Sequence, residues 1–340
     1  MPECYVCEDF YEEEDDSEFL IFHDGRTYCH DCYDNLSLTT PQPTSAICGC
    51  GSTTPCGSSG CEHPGMGHSS IMRYNADVRQ YFPDFYKLPK ENNPVYTGIE
   101  LELAWKVVSS ERQPILDDLY KELGYCIFKH DGSLDDGFEI VTAPASMAFH
   151  KVAWKKVLPK LRASVRSWNA SSQQCGIHIH VDRKAFFGPS VKAHEYKWAT
   201  FINTPRNNDF IATIAGRDIR GSRWCSAQDR YNFANPVGEN GKYSAINFDK
   251  GPTLECRIFR GNIATLGFMK NLEFIYASLE FSREVGISHN SLSYTEFLKW
   301  LHKHENKYYY LCYFLNQKNY AKYPTAVKRF IAETDLSLED

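Results

Sequence analysis

The chain has 340 residues, 42% hydrophobic and 14% aromatic, with a formal net charge of −6, a length that implies about two domains and enough apolar material for a core. No run approaches the ~20 consecutive apolar residues that span a bilayer, and MPECYVCEDF has neither the basic start nor the apolar stretch of a secretory signal. Eight of the 13 cysteines fall in the first 61 residues, and residues 1–40 carry a net of −11, leaving +5 spread over the remainder, which excludes one uniform fold and gives little support to nucleic-acid binding.

The sequence therefore reads as soluble and cytoplasmic, a reducing compartment in which thiols at short spacing serve as metal ligands more often than as disulfides. Residues 1–68 have almost no periodic apolar pattern, so a bound metal would have to supply their folding energy. Cys4-x2-Cys7 and Cys29-x2-Cys32 form two thiolate knuckles, the usual four-sulfur shell of structural Zn²⁺. CHDCYDN is similar to the second half of a treble-clef finger. A less regular group, Cys48, Cys50, Cys56 and Cys61, offers a second Zn²⁺ site. The acidity of this module opposes phosphate contacts and favours a protein partner or substrate presentation. Residues 69–95, punctuated by prolines, read as an extended connector.

From Tyr96 the texture changes. YTGIELELAW alternates Ile99, Leu101 and Leu103 with Glu100 and Glu102, a strand with both carboxylates on one face. A helix follows, with a capping box at Ser110 and Gln113, an apolar stripe of Leu116, Leu119, Tyr120 and Leu123, and a stop at Gly124. GFEIVTAP is a second strand ended by Pro144. Ala148 to Trp168 has helical spacing, with a kink or break expected at Pro159. CGIHIHVD is a third strand with His178 and His180 on its polar face. KYSAINFD and TLECRIFRG form a hairpin around Lys250 and Gly251, in which Glu255 and Arg257 share a face. Ile263 to Val285 is helical, and Tyr294 to about Asn319 holds two further helices.

Four strands thus present ionisable groups on one face: Glu100 with Glu102, Glu139, His178 with His180, and Glu255 with Arg257. Side chains at i and i+2 lie about 7 Å apart, which suits carboxylates that share or bridge divalent cations. The solvated face of an ordinary antiparallel sheet also alternates, but it mixes Lys, Thr, Ser and Gln. Candidate phosphate-binding arginines are Arg217, Arg220, Arg223, Arg230, Arg257 and Arg260. Neither a Gly-x-x-x-x-Gly-Lys-Ser/Thr phosphate loop nor a nucleophile elbow is present. Cys175 reads as a small buried residue rather than a nucleophile.

GIELE, DGSLDDGFEIVTAP, CGIHIHV and RYNFANP through SAINFDKGPTLECRIFRGN occur in an order that resembles the amidoligase family. These are carboxylate-amine ligases, often phage-encoded and related to glutamine synthetase and glutamate-cysteine ligase. The resemblance covers roughly Tyr96 to Val285. It implies an α+β fold, with a glutamine-synthetase-like antiparallel sheet as a curved floor and flanking helices, beside the small N-terminal zinc module. It also implies ATP and two or three Mg²⁺ or Mn²⁺ ions. By motif, Glu100, Glu102, Glu139, His178 and Glu255 would be metal ligands, and His180 would lie nearer substrate or phosphate. Arg257, Arg230 and Arg217 would meet the transferred phosphoryl group, with Asp131 and Ser133 on a nucleotide- or substrate-facing loop. FRGN departs from the usual Gly-Thr ending, but Asn262 can cap the next helix.

The implied reaction converts a carboxylate to an acyl phosphate at the expense of ATP, after which an amine displaces phosphate to form an amide. The implied substrates are a carboxylate and an amine, each free, peptidic or part of a protein. The implied compartment is the cytoplasm, that of the host if the chain is phage-encoded. The division is then 1–68 zinc module, 69–95 connector, 96–288 catalytic domain and 289–340 helical segment. Two rival readings remain at this level: a non-catalytic adaptor whose working part is the zinc module, and a metallohydrolase built on the His-x-His pair.

Overall fold

The computed structural model describes residues 20–23, 26–29, 70–168, 175–186, 191–220, 222–227, 243–288 and 290–335. Cys4, Cys7, Cys32, Cys48, Cys50, Cys56, Cys61 and Arg230 lie outside the described residues. Near the N-terminus, β1 (Leu20–His23) and β2 (Arg26–Cys29) pair as an antiparallel hairpin.

The alternating run at 96–105 forms the spine of a nine-stranded sheet. This strand, β4 (Tyr96–Trp105), pairs with β6 (Gly137–Thr142) on one side and β9 (Gly176–Asp182) on the other. Beyond β6 come β5 (Cys126–Lys129) and β3 (Ile71–Met72); beyond β9 come β11 (Thr253–Arg260) and β10 (Ile246–Asn247). Short strands β7 (Ala145–Ser146) and β8 (Val165–Arg166) pair with the two ends of β4. Every pairing in this sheet is antiparallel except β3 with β5, so the fold is α+β around a mixed sheet rather than a purely antiparallel one. The parallel strand is contributed by the segment that reads as a connector. Its residues Tyr81, Phe82 and Leu88 are buried in the core.

The apolar face carries Ile99, Leu101, Leu103, Phe138, Ile140, Ile177, Ile179 and Val181, all at most 1% exposed. Full burial of each such side chain contributes about 1.5–3 kcal/mol. Helices α3 (Met147–Ser164) and α6 (Thr265–Glu284) cover this face. Phe259 meets Phe274 at 6.2 Å, Trp154 meets Phe268 at 4.6 Å, and Thr97 Oγ1 lies 3.2 Å from Tyr276 Oη. Buried His150 donates from Nε2 to the Thr97 carbonyl, so its Nδ1 accepts from the Tyr125 hydroxyl. Burial draws its pKa down to about 4, which keeps it neutral.

Helices α1 (Val78–Tyr81), α2 (Ser109–Leu123), α4 (Val191–Asn203), α5 (Asn208–Ala215), α7 (Tyr294–His302), α8 (Tyr309–Gln317) and α9 (Pro324–Asp335) are the other α-helices among the described residues. Lys151 of α3 and Glu273 of α6 form a buried ion pair at 2.5 Å, and the second Glu273 oxygen accepts the Leu311 N–H at 2.8 Å. No helix among the described residues is long and apolar enough to cross a membrane.

Four local expectations change. Helix α2 (Ser109–Leu123) starts at Val108, which makes no side-chain cap; Ser110 and Gln113 form no capping box, and Gln113 bonds Asp117 instead. The start is held by Arg112, which pairs with Asp136 at 2.7 Å and lies over the Trp105 ring. Its stop is as read: Gly124 has φ 67° and donates to Tyr120 O. Pro159 does not break α3, because Val157, Leu158 and Leu161 are locked in the core on both sides of it. The helix ends at Ser164 rather than Trp168, since buried Val165 leaves it to pair with Trp105. Finally, Asn262 accepts from Ala264 N two residues ahead, and Ala264 occupies the cap position of α6.

Candidate active site

Residues directly opposite in an antiparallel pair project from the same face, so the register assembles the polar floor row by row. Lys129, Glu139 and Glu102 form one row across β5, β6 and β4. Glu100 stands opposite His178. Asn247, Glu255, His180 and Gly98 form a third row across β10, β11, β9 and β4. Alternation within each strand sends these groups away from the helices covering the other face.

His178 sits among three carboxylates. Its Nδ1 lies 3.4 Å from Glu100 Oε2 and 3.6 Å from Glu255 Oε1, and its Nε2 lies 3.7 Å from Glu102 Oε1. His180 Nε2 is 3.1 Å from Glu100 Oε1, yet it is buried without a well-aimed hydrogen bond among the described residues. Glu100, His180 and Glu255 each offer a ligand atom within 4.8 Å of the others. Gly176 permits this crowding: a Cβ there would lie 3.2 Å from His178 Nε2, while its N–H donates to Glu102 Oε2 at 2.6 Å. Glu255, wholly buried, accepts from Asn247 Nδ2 at 2.8 Å and from Arg257 Nη1, with Lys250 Nζ 3.6 Å away.

The floor opens into a cavity of about 770 Å³. Glu100, Glu102, Glu139, His178, Arg257, Arg217, Asp131 and Ser133 all border it. His180, expected nearer the substrate than His178, does not. Arg257 lies at a bulge in β11, where the register against β9 shifts between Cys256 and Phe259. The carbonyls of Arg257 and Ile258 there accept from Arg217 Nη2 at 2.5 Å and Nε at 2.9 Å, so Arg217 braces the bulge that carries Arg257. Asp131 accepts the Ser133 N–H at 2.6 Å and shapes the turn at the cavity edge. Arg220 is exposed and paired with Asp218 at 3.0 Å. Burial pushes the Cys175 thiol up to about 12, with Glu102 and Asp131 adding to the effect, which leaves it protonated and inert.

Electrostatics divide the carboxylates. Burial, the largest influence on Glu100, raises its pKa, but the charges of nearby His180 and His178, with the His178 hydrogen bond, together hold it well below the usual carboxylate range. Burial likewise acts upward on Glu255, and His180, Arg257 and His178 outweigh it. At Glu139 burial wins, assisted by the Glu100 charge and only partly offset by Lys129, and the carboxyl is pushed up to about 8. Burial lowers the His180 pKa, but Glu100 reverses that and raises it. The donors are mostly carboxylate oxygens with imidazole beside them, a set suited to a hard divalent cation with the capacity to polarise an anion.

No family model matches the chain, and no curated protein matches it either. Lys129 and Lys250, which border the same cavity, escape a motif-based reading. Their signals are faint: CIFK ends on a lysine just before DGSL, and Lys250 falls in the turn of the β10–β11 hairpin.

Proposed function

We propose that the chain is an ATP-dependent carboxylate-amine ligase with a glutamine-synthetase-like catalytic sheet. The observation that supports this reading is the convergence of Glu100, Glu102, Glu139, His178, His180, Glu255 and Arg257 on one sheet face beneath or beside one cavity. Those are the positions at which the sequence resembles amidoligases.

On this reading Glu100, Glu102, Glu139, His178 and Glu255 hold Mg²⁺ or Mn²⁺, and the buried, poorly bonded His180 Nε2 is a further donor available beside Glu100 and Glu255. Mg²⁺-bound ATP supplies the phosphoryl group that activates a substrate carboxylate for attack by an amine. Arg257, fixed by Glu255 and by the braced bulge, meets phosphate charge as it develops. Arg217 supports Arg257 from behind and also borders the cavity, while Asp131 and Ser133 face the nucleotide or substrate. The N-terminal cysteines belong to structural Zn²⁺ and a protein-docking or substrate-presenting module.

The test is thermal stabilisation by ATP or a non-hydrolysable analogue with Mg²⁺, which at a hundredfold excess over Kd amounts to about 2.7 kcal/mol. The shift is expected in the wild-type chain and absent in Glu100→Gln and Glu255→Gln. A screen for acid- and amine-dependent ADP release, with mass spectrometry of the product, then identifies the substrates. Folded protein that shows no nucleotide-dependent shift at any Mg²⁺ concentration sinks the reading.

A further inference from the structure

Lys129 lies outside the motifs that carry the resemblance, yet the register inserts it among the carboxylates. It ends β5 opposite Glu139, which is itself opposite Glu102. Its Nζ is 3.0 Å from Glu139 Oε1 and 5.5 Å from the centre of the Tyr74 ring, and its side chain is 12% exposed on the cavity wall. An ammonium so placed lies against a carboxyl oxygen that the ligase reading needs for a divalent cation, and is its counter-ion whenever Glu139 is ionised, as cation binding requires. A divalent cation and an ammonium sharing one carboxylate, at a separation of about 4 Å, repel strongly, even at a high effective dielectric constant. The lysine head can leave without moving the strand, because its four-carbon stem is flexible.

The geometry points to a counter-ion exchange: Lys129 is the resident counter-ion of Glu139, is displaced when a divalent cation binds there, and then binds a phosphate group of the incoming substrate. The inference rests on the ligase reading for the presence of that cation. It makes Lys129 a second cationic contact for phosphate, on the opposite side of the carboxylate floor from Arg257. Cation and phosphate binding are then reciprocally linked, since each favours the state in which the lysine has left Glu139.

The exchange has a signature that a structural salt bridge lacks. In Lys129→Met the competitor for Glu139 is gone, so Mn²⁺, followed by its paramagnetic resonance signal, is expected to bind about threefold tighter or more. Inorganic tripolyphosphate, titrated calorimetrically with Mg²⁺ present, is expected to bind about tenfold weaker or more, having lost a charge-assisted hydrogen bond. Lys129→Arg keeps phosphate binding within about threefold, and Glu139→Gln weakens Mn²⁺. Lys129→Gln replaces the methionine variant should that one not fold. Loss of both affinities together, or no change in either one, overturns the exchange, as does wild-type protein that binds neither probe. A chain showing the opposed shifts but no ADP release with any acid-amine pair keeps the exchange and loses the ligase reading. A chain that makes amide and is indifferent to Lys129→Met does the reverse.

Discussion

Two buried Lys-Glu pairs lie in different layers of this protein, and the contrast between them separates structure from chemistry. Lys151 and Glu273 join α3 to α6 at 2.5 Å, 4% and 0% exposed. Lys151 also lies 4.8 Å from the Tyr309 ring centre, and the Leu311 N–H occupies the other Glu273 oxygen. That pair is closed. Lys129 and Glu139, at 3.0 Å, face a cavity and have further carboxylates beside them. The same two functional groups hold helices together in one place and form an adjustable wall in the other. What differs is whether every other lone pair is already satisfied.

The largest expected stability effect tests the closed pair. Lys151→Met leaves Glu273 buried without its cation and is expected to cost about 3 kcal/mol or more, read from urea or thermal unfolding. Lys129→Met is expected to cost about 1 kcal/mol, because Glu139 borders the cavity and can take up a proton. Equal costs for the two variants would erase the distinction.

A pH series sharpens it further. The folded value of Glu139 is raised to about 8 from an ordinary 4.5. The folded state therefore binds this proton more tightly than the unfolded chain. Its contribution to stability is complete below about 4.5 and is lost as pH rises through 8. The raised pKa of His180 acts in the same direction. In Mg²⁺-free buffer the melting temperature is expected to fall between pH 6 and pH 9, and Glu139→Gln is expected to flatten that fall. An unchanged slope in the variant would assign the proton elsewhere. The smallest effect belongs to the surface: Asp136→Ala, which removes a partner 62% exposed, is expected to cost less than about 1 kcal/mol.

Much of the floor was legible because period-two alternation is a local property. Wherever Ile99, Leu101 and Leu103 turn to the core, Glu100 and Glu102 must turn away, and the same holds for Ile177 and Ile179 with His178 and His180. Helix α3 was legible by its spacing of apolar residues, though not its end, since Val165 is claimed by a strand partner sixty residues earlier. Helices α4 and α5 were obscured by polar residues that are buried: Trp198 Nε1 finds Ser278, and Asn207 Nδ2 finds two backbone carbonyls. The Ser278 and Leu292 partners lie 80 and 85 residues away, so nothing in the local sequence marks these polar groups as satisfied.

The amino-acid sequence by itself determined the strands β4, β6, β9 and β11, which face of each is polar, and that metal-competent groups dominate those faces; β3, β5, β7 and β8 came only with the structure. Only the tertiary structure decided which strands are neighbours and in what register, since pairing depends on packing between distant segments rather than on local periodicity. That pairing put Lys129 against Glu139 and gathered Glu100, His178 and Glu255 at one point. It also turned Arg217 toward the carbonyls of the Arg257 bulge. A backbone carbonyl left exposed by a bulge has no side-chain signature, so a residue that satisfies it cannot be distinguished in the sequence from one that waits for phosphate.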